Sequence, residues 1–107
     1  MTIHVVGGVY REYCVHPRWN DVFGSAGRAA LAIANVGTEV VLHGYLSELA
    51  LRELTDKGAW LSGFSVSQTK VEETVEFRYL HDLAVPSVLG LPLRQHAPLT
   101  VEEARVV

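Results

Sequence analysis

The period of hydrophobic positions changes several times along the chain, and each change marks an element. Ile3 to Val6 is a short β-branched run closed by Gly7-Gly8, the pattern of a buried strand that leaves the core at a glycine turn. Tyr10 to Val15 alternates loosely between polar and aromatic residues and is followed by Pro17, Asn20 and Asp21, which predicts a strand or hairpin with one exposed face. Phe23 to Gly37 reads F-G-S-A-G-R-A-A-L-A-I-A-N-V-G. A small-residue loop leads through Arg28 into a helix over Ala29 to Ala34, and Gly37 terminates it. That helix is apolar on every face, which predicts burial on all sides. Glu39 to Tyr45 reads as a second buried strand. Ser47 is placed to cap a helix running to about Lys57, with Gly58 as its stop and Leu49, Ala50, Leu51 and Leu54 as its apolar side.

The later chain is more polar. Gly63 to Val66 is a short strand candidate. Val71 to Leu80 alternates Val75, Phe77 and Leu80 against Glu76 and Arg78, the mark of a half-exposed strand. His81-Asp82 then reads as a turn and Ala84 to Leu89 as a return strand broken by Pro86. Pro92 and Pro98 bracket a loop. Thr100-Val101-Glu102-Glu103 forms a capping box that opens a helix. Two turns are not complete by Val107, so the chain reads as the front part of something longer.

Strands alternating with helices predict an α/β fold: a parallel sheet with packed helices. The two alternating polar segments, near 9–22 and 71–90, do not suit that sheet and are read as a small side sheet projecting from it. The 107 residues suit one domain. The hydrophobic content of 49% is high for a domain this small, which points to an apolar face meant for another subunit or for more chain. A net charge of −3, a pI near 5.9 and scattered basic residues argue against a general nucleic-acid binder. No stretch is long and apolar enough for a membrane span, and no signal peptide opens the chain. Cys14 is the sole cysteine, which rules out an intramolecular disulfide or a cysteine zinc cluster and fits a cytoplasmic origin.

Chemistry concentrates at the loop before the first helix. Gly24, Ser25, Ala26 and Gly27 carry little side chain, so backbone donors there can approach a ligand closely. The same composition also makes a tight packing junction between a helix and a sheet. His4, His16, His43, His81 and His96 show no pair at metal-ligand spacing and are read as structural or exposed. Cys14 is read as a small buried hydrophobe, and Trp19 and Trp60 as packing residues, with Trp19 placed to line the side sheet. Neither G-x-S-x-G nor a Walker-type G-x-x-x-x-G-K-[ST] is present.

In this order and spacing the chain resembles the N-terminal part of the ribokinase-like family, the PfkB-type sugar and nucleoside kinases. Val5-Val6-Gly7 is similar to that family's opening strand and glycine. Gly24 to Gly37 is similar to its first signature, and Val71 to Leu89 falls where the family places its second pair of lid strands. The resemblance implies that Tyr10, Glu12, Gly24, Ser25, Ala26, Gly27 and Arg28 bind substrate. It further implies lid strands that cover the site and pair between two subunits, and ATP and Mg2+ as cofactors of a full-length member. Phe23, Tyr10 and Arg28 depart from the family pattern. Arg28 stands where an asparagine usually contacts the sugar. Its fork of donors suits an anionic substrate group, or else an ion pair with Glu12 or Asp21. The family's second signature, a Gly-Ala-Gly-Asp stretch that supplies the catalytic base and an anion hole, does not occur among these residues. No catalytic residue is therefore assigned, and this portion alone is expected to bind neither ATP nor metal.

Three functional readings follow. The first is the substrate-binding and lid portion of a sugar or nucleoside kinase, inactive alone and associating as a homodimer or with the rest of the kinase. The second is a non-catalytic ligand-binding or dimerisation module of the same ancestry, because unpaired strand edges seek partners. The third is a Rossmann-like nucleotide binder using Gly24–Gly27, although the loop lacks G-x-G-x-x-G and does not directly follow the first strand.

Overall fold

The apolar run that opens the chain becomes strand β1 (Thr2–Val6). The Glu39 run becomes β4 (Glu39–Leu46), and β5 follows at Phe64–Lys70. The computed structural model describes residues 1–81 and 87–89. In it these strands form a three-stranded parallel sheet in the order β1-β4-β5. Helix α1 (Gly24–Asn35) connects β1 side to β4, and helix α2 (Glu48–Lys57) connects β4 to β5. Between β1 and α1 the chain makes β2 (Arg11–His16) and β3 (Trp19–Val22), with a cis His16–Pro17 peptide in the turn. After β5 come β6 (Glu76–His81) and β7 (Ser87–Leu89). These four build a second sheet in the order β3-β2-β6-β7, antiparallel except for the parallel pair β2–β6. The result is the α/β architecture with a projecting side sheet.

Side-chain alternation on β4 sets the core. Val40, Leu42 and Leu46 point to one face and are fully buried with Ala26, Ala30 and Ala34 of α1 and Ala50 and Leu54 of α2. Both helices therefore cover the same face of the sheet. Val22, at the end of β3, also enters this core and is fully buried, which roots the side sheet in it. Burial of these apolar groups is the main source of stability.

Several expectations change. Helix α1 is not buried on all sides: Ala29, Ala32 and Asn35 are exposed. One sheet face presses on it, and an outward alanine leaves little apolar surface in water, so an alanine-rich stripe is cheap to expose. Strand β5 runs on to Lys70, because Ser65 and Ser67 are the exposed positions of an edge strand whose Phe64 and Val66 turn inward. Strand β6 starts only at Glu76. The residues before it form a loop in which the Ser47 amide donates to the Thr74 hydroxyl (3.0 Å), while the Ser47 hydroxyl caps α2 by accepting from the Ala50 amide (3.2 Å). His81 belongs to β6 rather than to a turn. Trp60 is 72% exposed and packs no core, and Leu49 is exposed at the first turn of α2. The expected turn at Asp82, the loop bracketed by Pro92 and Pro98, His96 and the capping box at Thr100 lie outside the described residues.

On the sheet face away from the helices, His4 of β1 and His43 of β4 do form a pair. Their rings stack, and His4 Nδ1 lies 2.8 Å from His43 Nε2. One ring carries the shared proton and the other accepts it. Sequence spacing could not show this, because the parallel register brings together residues 39 apart. His43 is buried, and its Nδ1 has no partner. Burial first, and the adjacent His4 second, push its pKa below the ordinary 6.5.

The unfolded chain takes up a proton at His43 near pH 6.5, whereas the folded chain resists it until lower pH. The stabilisation is thus complete above that value and is lost progressively as pH falls below it. The urea midpoint should decline between about pH 6.5 and pH 5 in the native chain, and His43→Gln should flatten that interval. A pH-independent midpoint in the native chain would contradict this account.

Candidate functional site

The site is built where β1 ends. Ligands of open α/β sheets bind beyond the carboxyl ends of the strands, and Gly7-Gly8 leaves β1 at that end to meet the start of α1. The Ala26 amide donates to the Gly8 carbonyl (3.0 Å), and the Phe23 amide donates to the Tyr10 carbonyl (3.1 Å). Gly24 sits at φ +71°, and a Cβ there would lie 2.3 Å from the Gly8 oxygen. Only glycine permits that approach. The small-residue segment is the first turn of α1 rather than a loop before it, and its residues divide. Gly24, Ala26 and Gly27 are buried and serve the packing junction, with the Ala26 amide already used. Ser25 and Arg28 are exposed at its rim.

Above this junction stands one face of the side sheet. Glu12 and Cys14 of β2 alternate onto it. The register places Asp21 and Trp19 of β3 opposite them on one side, and Phe77 and Tyr79 of β6 on the other. Cys14 is fully buried, as a small hydrophobe in the sheet. Tyr10 meets Phe77 edge to face at 4.1 Å, and Trp19 lies 6.5 Å from Tyr79. Tyr79 was not legible as a site residue. Its alternation with Arg78 was visible, but the parallel pairing that sets it beside Cys14 was not. Burial first, and then the Glu12 charge, push the Tyr79 hydroxyl above its ordinary value.

Glu12 is the chemical centre. Its side chain is 7% exposed, and Arg28 reaches it fork to fork from α1. Nη1 donates to Oε1 at 2.8 Å. Nη2 lies 2.5 Å from Oε2, which is itself buried, so both carboxylate oxygens face the guanidinium. Hydrogen bonding to Glu12 holds the Arg28 guanidinium more firmly protonated than usual, against a smaller opposing effect of burial. Of the two partners open to Arg28 on sequence, Glu12 is the one engaged. Asp21 instead pairs with Lys57 of α2 at 3.0 Å. Both cations reach the Phe23 ring, whose centroid lies 5.1 Å from the Arg28 guanidinium carbon and 5.2 Å from Lys57 Nζ.

The structure thus brings Tyr10, Glu12 and Gly24 through Arg28 to one junction, with Phe77 and Tyr79 added. Among the described residues no group of three or more His, Cys, Asp or Glu side chains is placed to hold a metal ion. Nor is any described helix long and apolar enough to cross a membrane.

Neither a family model nor a curated protein matches the chain. Solved structures do match it in fold. A pyrophosphate-dependent kinase of the ribokinase family, complexed with a pyrophosphate analogue and myo-inositol, superposes with a TM-score of 0.61 at 13% identity, over 81% of this chain and 33% of that one. A sulfate complex of a pyrophosphate-dependent kinase in the same family gives 0.55 at 13% identity, over 77% and 29%. An uncharacterised sugar kinase from Pyrococcus horikoshii gives 0.52 at 13% identity, over 83% and 34%. The fold is ribokinase-like, and the chain spans about a third of the length of these structures.

Two glycines at positive φ separate conformational strain from close approach. Gly37 (φ +88°) has open space where a Cβ would stand, whereas Gly24 meets the Gly8 backbone. Gly37→Ala should cost about 1 kcal/mol in urea denaturation, from the left-handed backbone alone. Gly24→Ala should cost at least about twice that, because the junction must also open. Equal costs would show that the junction is not held closed.

Proposed function

We propose that this chain supplies the acceptor-binding and lid portion of a ribokinase-like kinase that phosphorylates a hydroxyl of a sugar, a polyol or a nucleoside. The observation that carries the reading is the Glu12–Arg28 ion pair at the glycine junction, with its guanidinium half exposed at the rim. A carboxylate accepts hydrogen bonds from neighbouring hydroxyls, and an adjacent guanidinium donates to their oxygens. The ribokinase-like fold, and neighbours whose descriptions name myo-inositol and sugar kinase activity, support the same class of acceptor.

The ion pair also revises what Arg28 implies. Its charge is matched by Glu12, so the pair is neutral and suits an uncharged polyhydroxyl acceptor better than an anionic one. Tyr10 and Phe77 offer apolar surface against which a sugar ring or base can lie.

In this reading the side sheet acts as the lid. Association of two copies through it belongs to the same proposal, with β7 at its edge and Leu80 and Val88 exposed. Phosphoryl transfer also needs a phosphate donor, charge cover for the moving group and a base. Those parts fall to residues beyond this portion, with ATP and Mg2+ as the expected donor and metal. Pyrophosphate is a second candidate donor, because two of the fold neighbours are described as using it.

Calorimetric titration of the chain with myo-inositol, ribose, adenosine and a sugar phosphate tests the reading. At least one uncharged compound should bind, and more tightly than the sugar phosphate. Glu12→Gln should weaken binding about tenfold or more, the scale of a lost charge-assisted hydrogen bond. Binding unaltered by Glu12→Gln, or no binding by a folded chain, would overturn it.

A further inference from the structure

Three lid charges reach three charges on the helices, and two of these links converge on a single face of α2. Arg11 of β2 donates to Glu53 at 2.7 Å and also to Asn20 at 2.9 Å. Asp21 of β3 accepts from Lys57 at 3.0 Å. The third link is Glu12 with Arg28 on α1. A cleft of about 550 Å³ opens between lid and helix at this place, lined by Arg11, Asn20, Glu53, Asp56 and Lys57. The lid therefore rests on α2 through charged side chains that border water, set in the first two rungs of the β2–β3 ladder beside Val22, which enters the core.

Glu53 and Lys57 are four residues apart on α2, with the acid on the N-terminal side. That is the favourable arrangement for an ion pair within a helix. In the structure they do not use it, because each reaches across to the lid. We infer that Arg11–Glu53 and Asp21–Lys57 form an ionic clasp that sets the lid over the acceptor site, and that it opens by partner exchange, with Glu53 and Lys57 pairing to each other as the lid lifts. This makes Arg11, Asp21, Glu53 and Lys57 positioning residues.

The exchange lowers the cost of opening. Both links are partly solvated, with side-chain exposures between 21% and 39%, so each contributes modestly and is sensitive to salt. The helix recovers one ion pair when both are released. Opening is then a local event of the side sheet, with β4 and the helix core left closed. The inference rests on reading the side sheet as a lid, but its physical content can be measured without any ligand.

Hydrogen exchange on the full chain is the test. Glu53→Gln with Lys57→Met should raise exchange of the β2 and β6 amides by about five- to tenfold, with β4 amides unchanged. Raising salt from about 0.05 M to about 1 M should produce the same selective rise in the native chain, and a much smaller one in the double variant. The charge swap Arg11→Glu with Glu53→Arg should restore protection. A uniform rise that includes β4, or side-sheet exchange indifferent to salt and to the swap, would overturn the clasp. The salt series on the native chain decides the matter if the variants fold poorly. If exchange responds as stated while no polyol binds, the clasp stands and the acceptor reading fails.

Discussion

Everything in this molecule is arranged around one backbone-to-backbone approach. Gly24 passes so close to the Gly8 carbonyl that no side chain fits between them, and the Ala26 amide closes the contact with a hydrogen bond. That approach fixes where β1 ends relative to the first turn of α1. It leaves Ser25 and Arg28 on the rim, and it sets the root of the side sheet, since Phe23 and Tyr10 are bonded through their backbones just beyond. The glycine-rich segment is a packing junction, and the proposed ligand contacts fall to the residues it leaves exposed. The buried residues make the junction, and the exposed ones are presented by it.

Electrostatics then build on this frame. A carboxylate as buried as Glu12 is costly without a counter-charge, and Glu12 faces Asp21 across the β2–β3 ladder, where like charges destabilise. Each acid receives its own cation, from α1 and α2 respectively, and both cations contact the Phe23 ring. The side sheet is thus tied to the helices at its root, where Arg11 lies opposite Val22 and Glu12 opposite Asp21, by charge and by Val22 in the core.

Much of the main sheet was legible because its signals are local. The β-branched run at Ile3–Val6, the Ser47 cap and the glycine stops follow from neighbouring residues, and β1, β4 and α2 appear where those signals put them, whereas α1 begins earlier than expected, at Gly24. What was not legible depends on pairing across the chain. The parallel β2–β6 register brings Tyr79 to Cys14, and the β1–β4 register brings His4 to His43. Neither leaves a trace in spacing. The exposed side of α1 escapes the sequence for a related reason. Composition gives the polarity of a face, but which faces are covered depends on where the next layer lies. Glu12 and Arg28 were identifiable singly, and only the fold shows that one neutralises the other.

The central claim is that the junction of Gly8, Ser25, Arg28 and Glu12 receives an uncharged polyol. Residue-resolved amide shifts on titration of the isotope-labelled chain with myo-inositol test it most directly. The account predicts shifts concentrated at Gly8, Glu12, Ser25 and Arg28, with Tyr10 and Phe77 moving beside them. Shifts confined to a different surface, such as the loop between Ser47 and Thr74, would contradict it.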